Sequence, residues 1–155
     1  MPLIINDDNL KNGLMALQFA AGNTAPATRE IAAIMADRAE ESFDLEQSPE
    51  GVPWAELSEV TMKFRRAIGR DTGKKLKVTG QLAASISSQY GDGFAKVGTN
   101  KVYAAMQQFG GTTSPRSMIP DKDIPARPFL GSNEEDKKEM EEAINRHIVK
   151  AFREQ

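Results

Sequence analysis

The stretch from Thr79 to Gly111, TGQLAASISSQYGDGFAKVGTNKVYAAMQQFGG, constrains the fold most, because its punctuation signals agree with one another. Leu82, Ala84, Ile86, Ser88 and Tyr90 lead into Gly91-Asp92-Gly93, and Phe94 to Gly98 follow. Two short runs around a three-residue, Gly-containing connection predict a β-hairpin. Thr99 and Asn100 then stand where a helix N-cap oxygen is needed, and Val102, Tyr103, Met106 and Phe109 recur at helical spacing. Gly110-Gly111 supplies the positive-φ stop.

Helices are expected on either side of this stretch. Asp7 or Asp8 caps a first one with Leu10, Leu14, Leu17 and Ala21 on one face and Gly22-Asn23 as its end. After the NTAPAT break, with Thr24 or Thr28 near the start, Ile31, Ile34, Met35, Arg38, Ala39, Ser42 and Phe43 line one side of a second. Its opposite face, with Arg29, Glu30, Asp37, Glu40 and Glu41, reads as solvated. Near the C-terminus Ser132 and Glu135 have capping-box spacing. Met140, Ala143, Ile144, His147, Ile148, Ala151 and Phe152 then follow the i, i+3, i+4 rule through a long last helix. The class is therefore α+β: N-terminal helices, a small antiparallel sheet built on a hairpin, and a long C-terminal helix.

The chain of 155 residues fits one domain. Within it, residues 44–79 read as an irregular, partly mobile loop. Pro49, Gly51 and Pro53 frame the lone tryptophan, Trp54, which reads as an anchor that pins the loop to the core, and Ser58-Glu59-Val60-Thr61 offers a short helix start. In IPARPFLG each proline forces extended backbone before it, so Arg127 is expected to spend its planar fork on backbone carbonyls or a carboxylate.

Charge is segregated although the net is only −2. Residues 1–61 carry 3 basic and 11 acidic groups, whereas Met62 to Val78 carry 7 basic and 1 acidic. The seven cations, Lys63, Arg65, Arg66, Arg70, Lys74, Lys75 and Lys77, are the candidate partner-binding residues. Clustered cations attract phosphate whatever the base sequence, but no aromatic residue is placed for stacking among the later cations and the whole chain is acidic. An acidic protein partner and a nucleic acid both stay open. Little apolar interleaving after Ile68, and two glycines, make the tract an expected mobile segment that orders on meeting its partner.

Catalytic chemistry finds few carriers. The single histidine, His147, lies on the apolar face of the last helix and reads as a packed or half-exposed residue. Glu134, Glu135, Asp136, Glu139, Glu141 and Glu142 crowd a helix start, where the dipole explains them without a metal. The glycines form neither GxxxxGK[ST] nor a strand-linked GxGxxG. Cysteine is absent, which removes disulfides and thiolate chemistry and suits a reducing compartment. No apolar run approaches a membrane span and the N-terminus has no signal-peptide pattern, so a soluble, unexported protein without a cofactor or a catalytic role is expected.

PWAELSEVT, TGQLAASI, VGTNKVYAAMQQFGG and IPARPFLG, in this order ahead of a terminal helix, resemble the phage virion morphogenesis family, typified by the Mu-like G tail-completion proteins. The resemblance spans about Ile31 to Phe152. It implies a non-enzymatic α+β protein of the virion, present in the host cytoplasm during assembly and acting in tail completion or head-tail joining. The partners it implies are further copies of itself in an oligomeric ring, tail tube or connector proteins, and packaged DNA. The alternative is a small nucleic-acid-binding module that uses the basic tract 63–77.

Overall fold

The structure is a computed structural model that describes residues 8–154. Its elements are α1 (Asp8–Gly22), α2 (Ala25–Leu45), α3 (Glu59–Ala67), the single turn α4 (Gln81–Ala84), β1 (Ser87–Gly91), β2 (Phe94–Gly98), α5 (Ala104–Phe109), β3 (Gly111–Thr112), β4 (Asp123–Ile124) and α6 (Glu134–Arg153). The strands form two antiparallel pairs, β1 with β2 and β3 with β4. The α+β class, the hairpin and the long last helix are as the sequence predicts.

Helix α2 is the hub, packed on α6 along one side and on the hairpin along another. Its buried positions, Ala27, Thr28, Ala32, Ala39, Ser42 and Phe43, are mostly small, which lets neighbouring backbones come close before Phe43 enters the core. There Phe43 meets Trp54 edge-on, with ring centroids 5.8 Å apart, and Phe129 at 5.0 Å. Leu82 and Ala104 complete the cluster. Aromatic pairs at such offsets add to the apolar burial itself. Trp54 is 3% exposed and its indole N–H donates to the Pro128 carbonyl at 2.7 Å, so the expected anchor is in place.

The hairpin begins later and turns more tightly than expected. Leu82 and Ala84 lie in α4 rather than in a strand. Pairing runs from Ser87↔Gly98 to Gly91↔Phe94, which leaves Asp92-Gly93 as the loop, with Gly93 at φ 80°. This loop also caps α2. The Ala25 N–H donates to Asp92 Oδ1 at 3.1 Å, the Gly93 N–H donates to Thr24 Oγ1 at 2.6 Å, and Thr28 Oγ1 donates to the Gly91 carbonyl at 2.8 Å. Thr24 is the N-cap by position, but its oxygen is spent on the hairpin and not on its own helix.

Three further expectations shift. Asp7 lies outside the described residues, and α1 turns its leucines outward: Leu10, Leu14 and Leu17 are exposed, while Ala16 and Ala20 are buried. The helix lies close against α6, where a Cβ on Gly13 would stand 3.1 Å from the Phe152 ring. Small residues thus set the packed face. Helix α5 starts at Ala104 without a side-chain cap. Thr99 Oγ1 instead accepts the Lys101 N–H and pairs with Ser85 Oγ, and Val102 and Phe109 face solvent. The capping box of α6 is formed by Asn133 and Asp136, one residue beyond Ser132 and Glu135, because Asp136 also has a partner on α2.

That partner is Arg38. Its Nε and Nη2 donate to the two Asp136 oxygens, each at 2.8 Å, in the bidentate geometry that makes Arg–carboxylate pairs strong. Burial pushes the Asp136 carboxyl up, but the Arg38 hydrogen bonds, the Asn133 backbone N–H and the Arg38 charge outweigh it and hold it below its ordinary value. One carboxylate therefore closes the helix cap and clamps α6 to α2.

Candidate functional site

The basic tract is assembled on the loop that Trp54 anchors. The Trp54 N–H donates to the Glu46 carbonyl at 2.8 Å. Arg127 then fastens the next two residues: Nε donates to the Ala55 carbonyl at 2.9 Å and Nη2 to the Glu56 carbonyl at 2.8 Å. The expected role of Arg127 as a fork on backbone carbonyls is what the structure shows. Ser58 follows as the N-cap of α3, its Oγ accepting the Thr61 N–H at 3.2 Å.

Helix α3 turns an arginine inward. Arg65 is 4% exposed, and its guanidinium donates to the carbonyls of Lys74 at 3.1 Å, of Gly73 at 3.5 Å and of Lys75, while Nε has no partner. Burial pulls its pKa down, partly opposed by the Glu46 charge. Burial does the same to Arg127, and the neighbouring Arg65 charge adds to it, with Glu56 opposing. Arg65 was among the candidate partner-binding cations; the structure gives it to the tract's own backbone, because a buried guanidinium needs acceptors and the 73–75 carbonyls supply them.

The other cations divide by reach. Lys75 donates through Nζ to the Trp54 carbonyl at 3.1 Å and to Glu56 Oε1 at 2.8 Å, and its backbone N–H donates to Glu46 Oε1. Lys77 and Lys74 both meet Asp44, whose carboxyl the Lys77 hydrogen bond and charge hold low. Arg70 donates to the Val78 carbonyl at 3.1 Å. Two of these acidic partners, Asp44 and Glu46, stand in the last turn and at the C-cap of α2, where the helix dipole also favours cations. Lys63 and Arg66 are exposed and make no ion pair among the described residues. Much of the sequence's charge segregation is thus met within the chain, which composition could not show.

The remaining chemistry-bearing groups do not converge. His147 is half-buried, with Nε2 3.1 Å from the Ala20 carbonyl. Among the described residues no group of three His, Asp or Glu is placed to hold a metal ion, and no helix is long and apolar enough to cross a membrane. The arrangement offers surfaces for contact, with two tract cations, Lys63 and Arg66, that have no ion pair among the described residues and a set of exposed apolar side chains.

The profile of the phage virion morphogenesis family matches residues 5–149, and the chain belongs to that family. Among curated proteins it is 38% identical over 123 residues to the Mu-like prophage FluMu G protein 1 of Haemophilus influenzae, covering 78% of this chain and 77% of that one. It is 30% identical to the "Putative capsid assembly protein G" of Escherichia phage Mu over 95% of this chain and 97% of the other. The FluMu G protein 2 of the same Haemophilus strain is 34% identical over 91% and 90% of the two chains. No solved structure matches.

Proposed function

We propose that this protein is a structural, non-enzymatic component of the phage virion that acts in tail completion or head-tail joining, works as an oligomeric ring, and is made in the host cytoplasm before incorporation. The observation that carries the proposal is its likeness, over most of its length, to the G proteins of Mu and Mu-like prophages. Exposed apolar residues on α1, α3 and α5 support a protein that meets others. The test is a phage lacking the gene, viewed by electron microscopy. Full heads beside unattached or irregular tails are expected, restored by the gene in trans. Malformed heads would instead favour a second reading, assembly of the capsid, which the name of the Mu relative supports. A nucleic-acid module would need several free cations for phosphate contacts, and the intramolecular bonds of Arg65, Lys74, Lys75 and Lys77 weigh against it.

A further inference from the structure

Helix α3 is amphipathic in the inverted sense. Arg65 points into the protein at 4% exposure, while Val60, Phe64 and Ile68 are 72%, 64% and 45% exposed. With exposed Ala67 between them, these residues recur at i, i+4, i+7 and i+8, so they form one outward apolar stripe. Lys63 borders it on one side, with Arg66 a step further round the helix, and of the tract's cations these two have neither an ion pair nor a side-chain hydrogen bond among the described residues. A helix that spends its arginine inward and shows phenylalanine to water has its apolar face available for something outside the fold.

A complementary surface lies between α2 and α6. Ala33 and Ile34 floor a groove there, walled by Glu30 and Asp37 on α2 and by Glu139 and Glu142 on α6. Arg146 is the one cation among its lining residues, and it is taken by Glu30 at 2.6 Å. Asp37, Glu139 and Glu142 have no ion pair among the described residues. Glu30 to Asp37 and Glu139 to Arg146 each run about 10 Å, and Val60 to Ile68 about 12 Å, at 1.5 Å per residue. The lining belongs to α2 and α6 alone, so α3 does not fill this groove in its own chain.

We propose that the α3 stripe of one copy docks in the α2/α6 groove of the next, Phe64 and Ile68 against Ala33 and Ile34, Lys63 and Arg66 against Asp37, Glu139 and Glu142. The contact joins two different patches, so it is head-to-tail and propagates; it closes into a ring when the rotation per step closes. This rests on the oligomeric reading above and supplies its interface.

The absence of cysteine makes the test direct. A chain carrying Phe64→Cys and Ala33→Cys, both at exposed positions, is oxidised mildly and run without reductant. Covalent dimers, trimers and higher species are expected, while either single variant stays monomeric. In that background Lys63→Glu with Arg66→Glu lowers the yield about tenfold, and adding Asp37→Lys with Glu139→Lys restores it. The proposal is overturned by a yield no higher than that of the unrelated pair Phe64→Cys and Asp92→Cys. Dimers of Phe64→Cys alone, or a monomer that has closed its own disulfide, overturn it equally. Loss of random-sequence duplex binding on Lys63→Glu with Arg66→Glu, without any ladder, assigns the face to nucleic acid instead. If the ladder fails while the gene-deleted phage still leaves heads and tails unjoined, the interface is wrong and the proposed function stands.

Discussion

Replacing Asp136 by alanine should be among the costliest single changes in this protein. The side chains of Arg38 and Asp136 are 14% and 5% exposed, so removing the carboxylate leaves a largely buried guanidinium with the more exposed Glu41 as its remaining ion pair and Glu135 as a further nearby charge. Breaking a buried pair from one side costs about 3–5 kcal/mol. Against a total stability of about 5–15 kcal/mol that is a large fraction, and at about 2–4 °C per kcal/mol it lowers Tm by roughly 6–20 °C. Arg38→Met combined with Asp136→Ala should cost less than the two singles added, with a coupling of about 2 kcal/mol, because no charge is then left unpaired. The pH dependence provides a second reading. The folded carboxyl lies below its ordinary value, so its stabilisation is full above the unfolded pKa of about 3.9 and is lost as pH falls through the lower folded value. The gap between wild type and Asp136→Ala should therefore be flat from neutral pH down to about 5 and shrink below about 4. Urea titrations of the four chains across that range decide it. Additivity within about 0.5 kcal/mol, or a gap that persists undiminished at the acid end, would refute the clamp.

Three other changes separate inward from outward groups. Arg65→Ala should cost about 2 kcal/mol by stripping donors from the carbonyls of Lys74 and Lys75, whereas Arg66→Ala should stay within about 0.5 kcal/mol; equal effects in thermal melts would contradict the inward placement. Arg127→Lys keeps the charge but cannot reproduce the two-carbonyl fork on Ala55 and Glu56, so a loss of about 1–2 kcal/mol is expected, and an unchanged urea midpoint would sink the claim. Gly110→Ala places a Cβ 2.7 Å from the Ile124 carbonyl oxygen at φ 70° and should cost about 3 kcal/mol, with wild-type stability in chemical denaturation as the contrary result.

The sequence by itself determined what depends on neighbours along the chain. The hairpin around Asp92-Gly93, the Ser58 cap, the extension imposed by Pro125 and Pro128, and the amphipathic α2 and α6 all rest on backbone preference and periodicity, which act over a few residues. Trp54 and Arg127 were legible for a related reason: a lone indole in a Pro-framed loop and an arginine between two prolines each have few ways to satisfy their polar atoms. Arg38 was visible only as the one cation in a largely apolar face, which does not say what partner it meets. Tertiary structure decided the rest. It moved the capping box to Asn133 and Asp136 because Arg38 waits across the helix interface, and it gave the α2 cap to the hairpin loop. It set α1 on its alanines rather than its leucines, since close approach to α6 rewards small residues more than large ones. It also turned Arg65 inward and paired Lys74, Lys75 and Lys77 within the chain, because a charge answers to whatever lies within a few ångströms in space, and distance along the sequence does not measure that.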